Sequence, residues 1–219
     1  MFGTARIVGM GRVGSVLAAR LRERGIRLGE ERAELVLLCV PDAAIHEVAA
    51  GIAPGPWIAH VSGATSLSAL DPHTSRFSVH PLQTFTRARG AEQLDGAFAA
   101  VTAETDEARE RAFWLAETLA LKPFELADQA RPIYHAGAAI ASNYLVTLYR
   151  SAAGLFEAAG APPEALVPLM RRTIENDFEL TGPIARGDWQ TVEAHRRAIR
   201  QARPELEPVY DALAELTAP

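Results

Sequence analysis

Three glycines near the start of the chain have the spacing of a dinucleotide-binding turn. Residues 6–14 read RIVGMGRVG, between an apolar run and a helix-forming stretch. In such a turn the first glycine makes the tight bend, the second lets the backbone approach a pyrophosphate, and the third lets helix and strand pack closely. The following helix would point its free N–H groups at the phosphates. The residues predicted to hold the dinucleotide are Gly9, Met10, Gly11, Arg12, Val13 and Gly14.

Polar side chains follow two apolar runs downstream, and they are predicted to carry the chemistry. Ser62 and Gly63 come directly after Trp57–Val61, and His80 ends the run Phe77–His80. Ligands of open α/β sheets lie at the carboxyl ends of the strands. A hydroxyl and an imidazole beside a nicotinamide could bind a substrate atom and exchange a proton during hydride transfer. We predict Ser62 and His80 as catalytic residues, with a helix-capping serine and a turn histidine as the alternatives.

Val40-Pro41-Asp42 ends another apolar run and is predicted to border the same site. Proline suits the first turn of a helix, and an aspartate near a helix start satisfies free N–H groups. A plain helix start therefore stays open beside a contact with the cofactor. In the functional interpretation Val40, Pro41 and Asp42 flank the nicotinamide together with Ser62 and Gly63.

The helical pattern that begins near residue 133 carries polar groups on one face. His135, Ala139, Ser142 and Asn143 share this face at helical spacing. The face could line a cleft between domains, where substrate sites usually form. We predict that His135 and Asn143 assist His80. The alternative is a tight helix–helix or dimer interface in which Asn143 is buried and hydrogen-bonded.

The remaining reactive residue types indicate structural roles. His60 lies inside a predicted strand and is expected in the core, as is the single cysteine, Cys39. The six histidines have no paired helical spacing, so no metal site is predicted.

Strands alternate with helices in the first half of the chain, which predicts a mostly parallel sheet. The predicted strands are Ala5–Val8, Glu34–Val40, Trp57–Val61, Phe77–His80, Phe98–Thr102 and Pro123–Leu126. The predicted helices are Val13–Arg24, Ala43–Ile52, Glu107–Leu121, Ile133–Ala159, Pro163–Glu179, Trp189–Gln201 and Pro204–Leu216. Strand signals stop near residue 131, which predicts two domains, 1–128 and 129–219.

A strand and a helix are missing from the expected pattern after the first helix. A parallel crossover needs at least about ten to twelve residues, helix included, and Gly25–Ala33 is shorter. Gly25–Leu28 is therefore not expected to form a parallel strand. The missing unit normally carries the acid that binds the adenosine ribose. Glu30 and Glu31 fall near that offset, with a solvated loop or a helix cap as their alternative role.

Composition excludes several classes of partner. The 219 residues are 48% hydrophobic and carry a net charge of −5 without blocks of like charge, so neither nucleic acid nor an anionic membrane is an expected partner. The chain has no long apolar run and no signal-peptide pattern near its start, so we expect a cytoplasmic protein.

The motifs GMGRVG, VPD, HVSGA, HPLQTF, YHAGAAIASNYLVTL and LTGPIARGDW resemble a family of Rossmann-like oxidoreductases with a helical C-terminal domain of unknown function. Through its two-domain layout this family is similar to pyrroline-5-carboxylate reductase, ketopantoate reductase and prephenate dehydrogenase. Prephenate dehydrogenases also have a His-Pro dipeptide and an upstream serine at their site, which His80-Pro81 and Ser62 resemble. The resemblance implies a Rossmann-like sheet followed by an all-α domain, and this sequence departs from the family at the missing strand–helix unit. It also implies NADP or NAD as cofactor, with NADP favoured, and a homodimer formed by the helical domain.

These observations predict an NAD(P)-dependent oxidoreductase for a small polar C=O or C=N compound. The missing unit favours an alternative from another class, which is a non-catalytic ligand-binding or regulatory dimer. An enzyme that uses the pocket without a dinucleotide is a third possibility. The glycine turn favours the oxidoreductase.

Overall fold

The computed structural model describes residues 1–29 and 32–218, and its strands form one sheet. The strands are β1 (Thr4–Val8), β2 (Arg27–Leu28), β3 (Leu35–Leu38), β4 (Trp57–His60), β5 (Arg76–Leu82), β6 (Phe98–Ala103) and β7 (Lys122–Glu125). Within these described residues the seven strands lie in the order β2-β1-β3-β4-β5-β6-β7. Only the pair β5 and β6 is antiparallel. The predicted mostly parallel sheet is confirmed.

Helices flank the sheet and make up the second half of the chain. They are α1 (Arg12–Glu23), α2 (Ile45–Ala50), α3 (Asp106–Thr118), α4 (Arg131–Ala139), a π-helical turn (Ile140–Tyr144), α5 (Leu145–Ala158), α6 (Leu166–Glu175), α7 (Trp189–Ala202) and α8 (Glu207–Thr217). None of them, in the part of the chain that the structure describes, is both long enough and apolar enough to span a bilayer. The predicted change from a sheet to helices alone is confirmed.

Packing divides the chain into two compact units, Met1–Ala139 and Ile140–Pro219. Helix α4 belongs to the first unit by this criterion. The domain boundary predicted after residue 128 stays a prediction, because packing alone does not establish which segment folds by itself.

Apolar side chains cover both faces of the sheet in the first unit. Leu35 and Leu37 of β3 belong to a core formed with α1 and α3, and Val36 and Leu38 belong to a second core formed with α2. All four are buried. Burial on both faces explains why β3 is an unbroken apolar run rather than an alternating one.

The prediction that Gly25–Leu28 forms no parallel strand is wrong. Arg27 and Leu28 do form a parallel strand beside β1, although only residues 29–34 precede β3. The register explains how so short a connection suffices. Ala5 of β1 is paired with Leu28 on one side and with Leu35 on the other, so the two chain ends are about 10 Å apart at the same level of the sheet. What is missing is the helix and the length of the strand; Glu30 and Glu31 lie outside the described residues.

The parallel strands β1, β3, β4 and β5 bring their carboxyl ends to one edge of the sheet. β4 ends at His60, which is paired with Ser78, so His80 lies two residues beyond the end of β4. The predicted strand ended at His80, whereas β5 continues to Leu82 because its last residues pair with β6. His80 is thus held between fixed backbone neighbours at this edge.

Candidate functional site

The glycine turn after β1 packs too closely for side chains at two of its positions. Gly9 has φ of +96°, and a Cβ there would lie 2.5 Å from the carbonyl oxygen of Cys39. A Cβ on Gly14 would lie 1.9 Å from the carbonyl oxygen of Gly9. Because neither glycine has a Cβ, the turn, the end of β3 and α1 can pack closely, as the sequence pattern predicts.

Gly11, between these two, faces open space. No atom lies within 4 Å of its ideal Cβ, and it is the N-cap of α1 without a capping side chain. The first turn of α1 contains no acidic residue. Unpaired N–H groups at a helix start favour an anion. Together with the exposed Met10 and Arg12, this turn fits the pyrophosphate of a dinucleotide.

Asp42 and Ser62 connect the ends of β3 and β4. The Ser62 hydroxyl lies 2.8 Å from Asp42 Oδ2 and 2.9 Å from Thr65 Oγ1, and it accepts the N–H groups of Ala64 and Thr65. Its hydrogen-bonding capacity is therefore used to shape the loop after β4. Asp42 is the first residue of the short helical turn Asp42–Ala44 that precedes α2 and the acidic residue of its first turn, and its carboxylate also accepts the Ser62 hydroxyl.

Tyr134 on α4 is the hydrogen-bond partner of His80. Its hydroxyl oxygen lies 2.8 Å from Nδ1 of His80, and the two rings meet edge to face. Burial lowers the pKa of His80 to about 4, aided by the charges of His135 and Arg131 and opposed by Asp42. Burial raises the pKa of Tyr134 to about 12, and Arg131 acts against that rise. Both groups are uncharged at neutral pH, and Tyr134 can donate its proton to Nδ1 so that the ring proton lies on Nε2.

Gly63 lets both histidines approach the end of β4. A Cβ at this position would lie 2.8 Å from Nε2 of His80 and 2.6 Å from Cδ2 of His135. The two imidazole rings are 6.0 Å apart. The structure thus brings together His80, His135, Ser62 and Gly63, four of the predicted site residues.

Arg131, the first residue of α4, lies beneath these groups and is fully buried. Its Nη1 donates to Thr102 Oγ1 at 2.8 Å, and its Nη2 donates to Ser78 Oγ at 3.0 Å and to the carbonyl oxygen of Ser62. Asp128 Oδ1 lies 3.9 Å from its Nε. The guanidinium therefore joins the loop after β4, two strands and α4.

Two further residues of the sequence motifs, His60 and Asn143, differ in their surroundings. His60 has no exposed surface, and its Nδ1 accepts the N–H of Ser62 at 3.2 Å, so it is a core residue as expected. Asn143 is exposed in the π-helical turn of the second unit, and its assisting role stays a prediction.

Sequence reasoning missed Tyr134, Arg131 and Asp128. Tyr134 stands directly before His135 in a motif that had been singled out, so its phenol was an available signal. Arg131 and Asp128 fall where the strand pattern gives way to helices, and the sequence indicated only a domain boundary there. No spacing rule identifies a charge that tertiary packing will bury.

The free energy of unfolding should fall as the pH drops below about 6.5. In the folded state burial lowers the pKa of His60 to about 3 and that of His80 to about 4. The unfolded chain therefore binds more protons between pH 6.5 and 4, and stability present above that window is lost within it. Each histidine should destabilise the fold by about 2 kcal/mol at pH 5, because one pKa unit corresponds to about 1.4 kcal/mol. Urea unfolding at pH 7 and pH 5 measures this loss.

The test variant is His80→Gln. The matched control is His46→Gln, because His46 is exposed on α2. His80→Gln should reduce the loss by about 2 kcal/mol, and His46→Gln should keep it. The same loss in wild type and His80→Gln would contradict the assigned environment of His80.

Family models match both parts of the chain. Residues 26–84 match the model of a Rossmann-like domain, and residues 97–217 match a domain of unknown function, DUF2520. No curated protein matches the chain.

Solved structures share the fold over nearly the whole chain. A candidate NADP oxidoreductase from Bacteroides fragilis is 21% identical with a TM-score of 0.81, covering 97% of this chain and 96% of that one. A protein from Thermotoga maritima is 24% identical with a TM-score of 0.76 and the same coverages, 97% and 96%. The 1-pyrroline-5-carboxylate reductase of Streptococcus pyogenes is 14% identical with a TM-score of 0.63, again over 97% and 96%. At such identities the likeness concerns the fold.

These matches confirm the family resemblance expected from the motifs, including the likeness to pyrroline-5-carboxylate reductase. The matched residues 97–217 are more than half of the 219-residue chain. The protein therefore belongs to the family described as a domain of unknown function, DUF2520.

Proposed function

We propose that this protein is an NAD(P)-dependent oxidoreductase that acts on a small polar C=O or C=N compound. The glycine turn carries the proposal. Gly9 and Gly14 exclude side chains by contact with neighbouring backbone, whereas the space in front of Gly11 is open. A turn that needed glycine only for packing would not leave its middle position free at the start of an uncapped helix.

The cofactor-binding residues follow from this geometry and from the strand ends nearby. Gly9 to Gly14 would hold the pyrophosphate, and Val40, Pro41, Asp42, Ser62 and Gly63 would flank the nicotinamide. A bound nicotinamide would supply or accept the hydride. The fold neighbour described as an NADP oxidoreductase supports this cofactor class, and NADP is our first choice over NAD.

His80 is proposed to exchange the proton that accompanies hydride transfer. In reduction, Nε2 gives its proton to the substrate oxygen or nitrogen, and Nδ1 receives the hydroxyl proton of Tyr134 at 2.8 Å. The imidazole stays neutral, and the phenolate left on Tyr134 is balanced by the Arg131 charge, which opposes the rise that burial causes in the pKa of Tyr134. Tyr134 recovers its proton from water. His135 and Asn143 are proposed to orient the substrate, and Ser62 to hold the loop that carries Gly63.

A titration with NADPH, NADH, NADP⁺ and NAD⁺ tests the cofactor directly. The wild-type protein should bind at least one of them with micromolar affinity in calorimetry. Gly11→Trp should abolish that binding, because its side chain would occupy the open space in front of the turn. The matched control is Gly51→Trp at the exposed end of α2, where an added Cβ makes only contacts of 3.6 Å or longer, and it should bind as wild type does.

Dinucleotide binding by Gly11→Trp with wild-type affinity would contradict the proposal that the glycine turn holds the pyrophosphate. No binding of any form up to about millimolar concentration, near −4 kcal/mol, would overturn the oxidoreductase. The non-catalytic binding protein would then be favoured, because β2 is short and the helix after it is missing.

Removal of His80 tests the proton step. In a screen of small carbonyl and imine compounds, His80→Ala should lower turnover at least tenfold and leave cofactor affinity within about twofold, since the imidazole touches the substrate atom rather than the pyrophosphate. A tenfold loss corresponds to about 1.4 kcal/mol of transition-state stabilisation. Turnover by His80→Ala equal to that of the wild-type protein would contradict the proposed proton exchange by His80.

We further propose that two copies of the chain associate through the helical unit. Five described residues of this unit are buried, namely Gly154, Leu166, Val192, Ile199 and Ala214. Large apolar side chains on α6 and α8 are exposed instead, including Leu169 at 60%, Ile174 at 51% and Leu216 at 85%. Exposed large apolar side chains in such number favour an interface.

Light scattering should give twice the chain mass for the wild-type protein and the single chain mass for Leu169→Glu. The control is Arg171→Glu, which adds negative charge on the same helix about 200° around from Leu169 and should leave the dimer intact. A wild-type protein that is monomeric at every concentration would contradict the association.

A further inference from the structure

Arg131 is a fully buried cation in contact with three separate segments of the chain. Its guanidinium donates to Thr102 of β6, to Ser78 of β5 and to the carbonyl of Ser62 after β4. The Thr102 hydroxyl in turn donates to the carbonyl oxygen of Leu126 at 2.8 Å. A planar group with five donors can satisfy several acceptors at once, which a lysine ammonium cannot do in the same geometry.

Asp128 ties the same cation to the loop that contains Gly63. Its Oδ1 accepts the N–H of Leu67 at 3.0 Å, and its Oδ2 accepts the hydroxyl of Ser66. Oδ1 also lies 3.9 Å from Nε of Arg131. The loop is thereby held near both ends, at the Ser62 carbonyl by Arg131 and at residues 66 and 67 by Asp128.

The position of α4 follows from this anchor. Tyr134 lies three residues after Arg131 and is therefore on the same side of the helix. Its hydroxyl reaches Nδ1 of His80 at 2.8 Å. A shift of the helix start would move Tyr134 away from His80 and His135 away from Gly63.

We propose that Arg131 is a positioning residue for His80. Its guanidinium fixes α4 against β5, β6 and the loop after β4, so that Tyr134 meets Nδ1 and Nε2 remains turned toward Gly63. The catalytic meaning of this arrangement rests on the proposed oxidoreductase function, but the arrangement itself is a property of the protein without ligands.

The charged and titratable groups that face His80 come from three elements. They are Asp42 after β3, His60 on β4, and Arg131, Tyr134 and His135 on α4. Burial is the main cause of the lowered pKa of His80, and the Arg131 charge adds to it. Loss of the guanidinium would therefore change both the geometry and the charge around the ring, whereas replacement by lysine keeps the charge and changes the geometry.

Nitrogen NMR of the histidine rings in the cofactor-free protein tests the proposal. The wild-type protein at pH 7 should show His80, assigned with His80→Gln, as a single neutral tautomer with the proton on Nε2. Arg131→Lys should convert this into a mixture of tautomers. Thr102→Val, a milder change that removes one acceptor, should shift the His80 signals in the same direction by a smaller amount. The control Arg20→Lys alters another buried arginine, bonded to Ala91 and Asp95, and should leave His80 unchanged.

A single unchanged His80 tautomer in folded Arg131→Lys would overturn the proposal. If Arg131→Lys does not fold, unchanged His80 signals in folded Thr102→Val would overturn it equally. Since neither spectrum involves a dinucleotide, this outcome is independent of the calorimetric test, and either proposal can fail alone.

Discussion

The site depends on one buried charge. Placing a guanidinium in the interior costs several kcal/mol unless hydrogen bonds compensate it, and Arg131 finds its acceptors on β5, β6 and the loop after β4. These acceptors can be satisfied together only when α4 starts at this point of the sheet edge. The position of Tyr134, and with it the hydrogen bond to His80, follows from that requirement.

A second constraint is the close packing of backbone at glycine. Gly9 and Gly14 let the first turn approach β3, and Gly63 lets two imidazole rings approach the end of β4. One set of contacts leaves a helix start open for an anion, and the other leaves a polar nitrogen facing the same sheet edge. The two halves of the proposed site, which would bind the cofactor and exchange the proton, thus both depend on a glycine without a Cβ.

The short β2 shows how the fold tolerates a lost helix. β2 ends and β3 begins at the level of Ala5, so the two residues to be joined lie at the same level of the sheet. In the helical unit few of the described residues are buried, and many large apolar side chains are exposed. These exposed apolar side chains are the basis of the proposed association of two copies.

The sequence by itself determined the class of fold and indicated the residues of the candidate site. The alternation of apolar runs and helices predicted the parallel sheet, and the glycine spacing predicted the turn after β1, because both patterns are local consequences of backbone geometry. It did not predict the strand Arg27–Leu28, whose existence depends on register with β1, or the partners of His80. Those were decided by tertiary structure, because the burial of Arg131 and the approach of Tyr134 depend on contacts between residues 29 to 69 positions apart, and only packing brings such segments together.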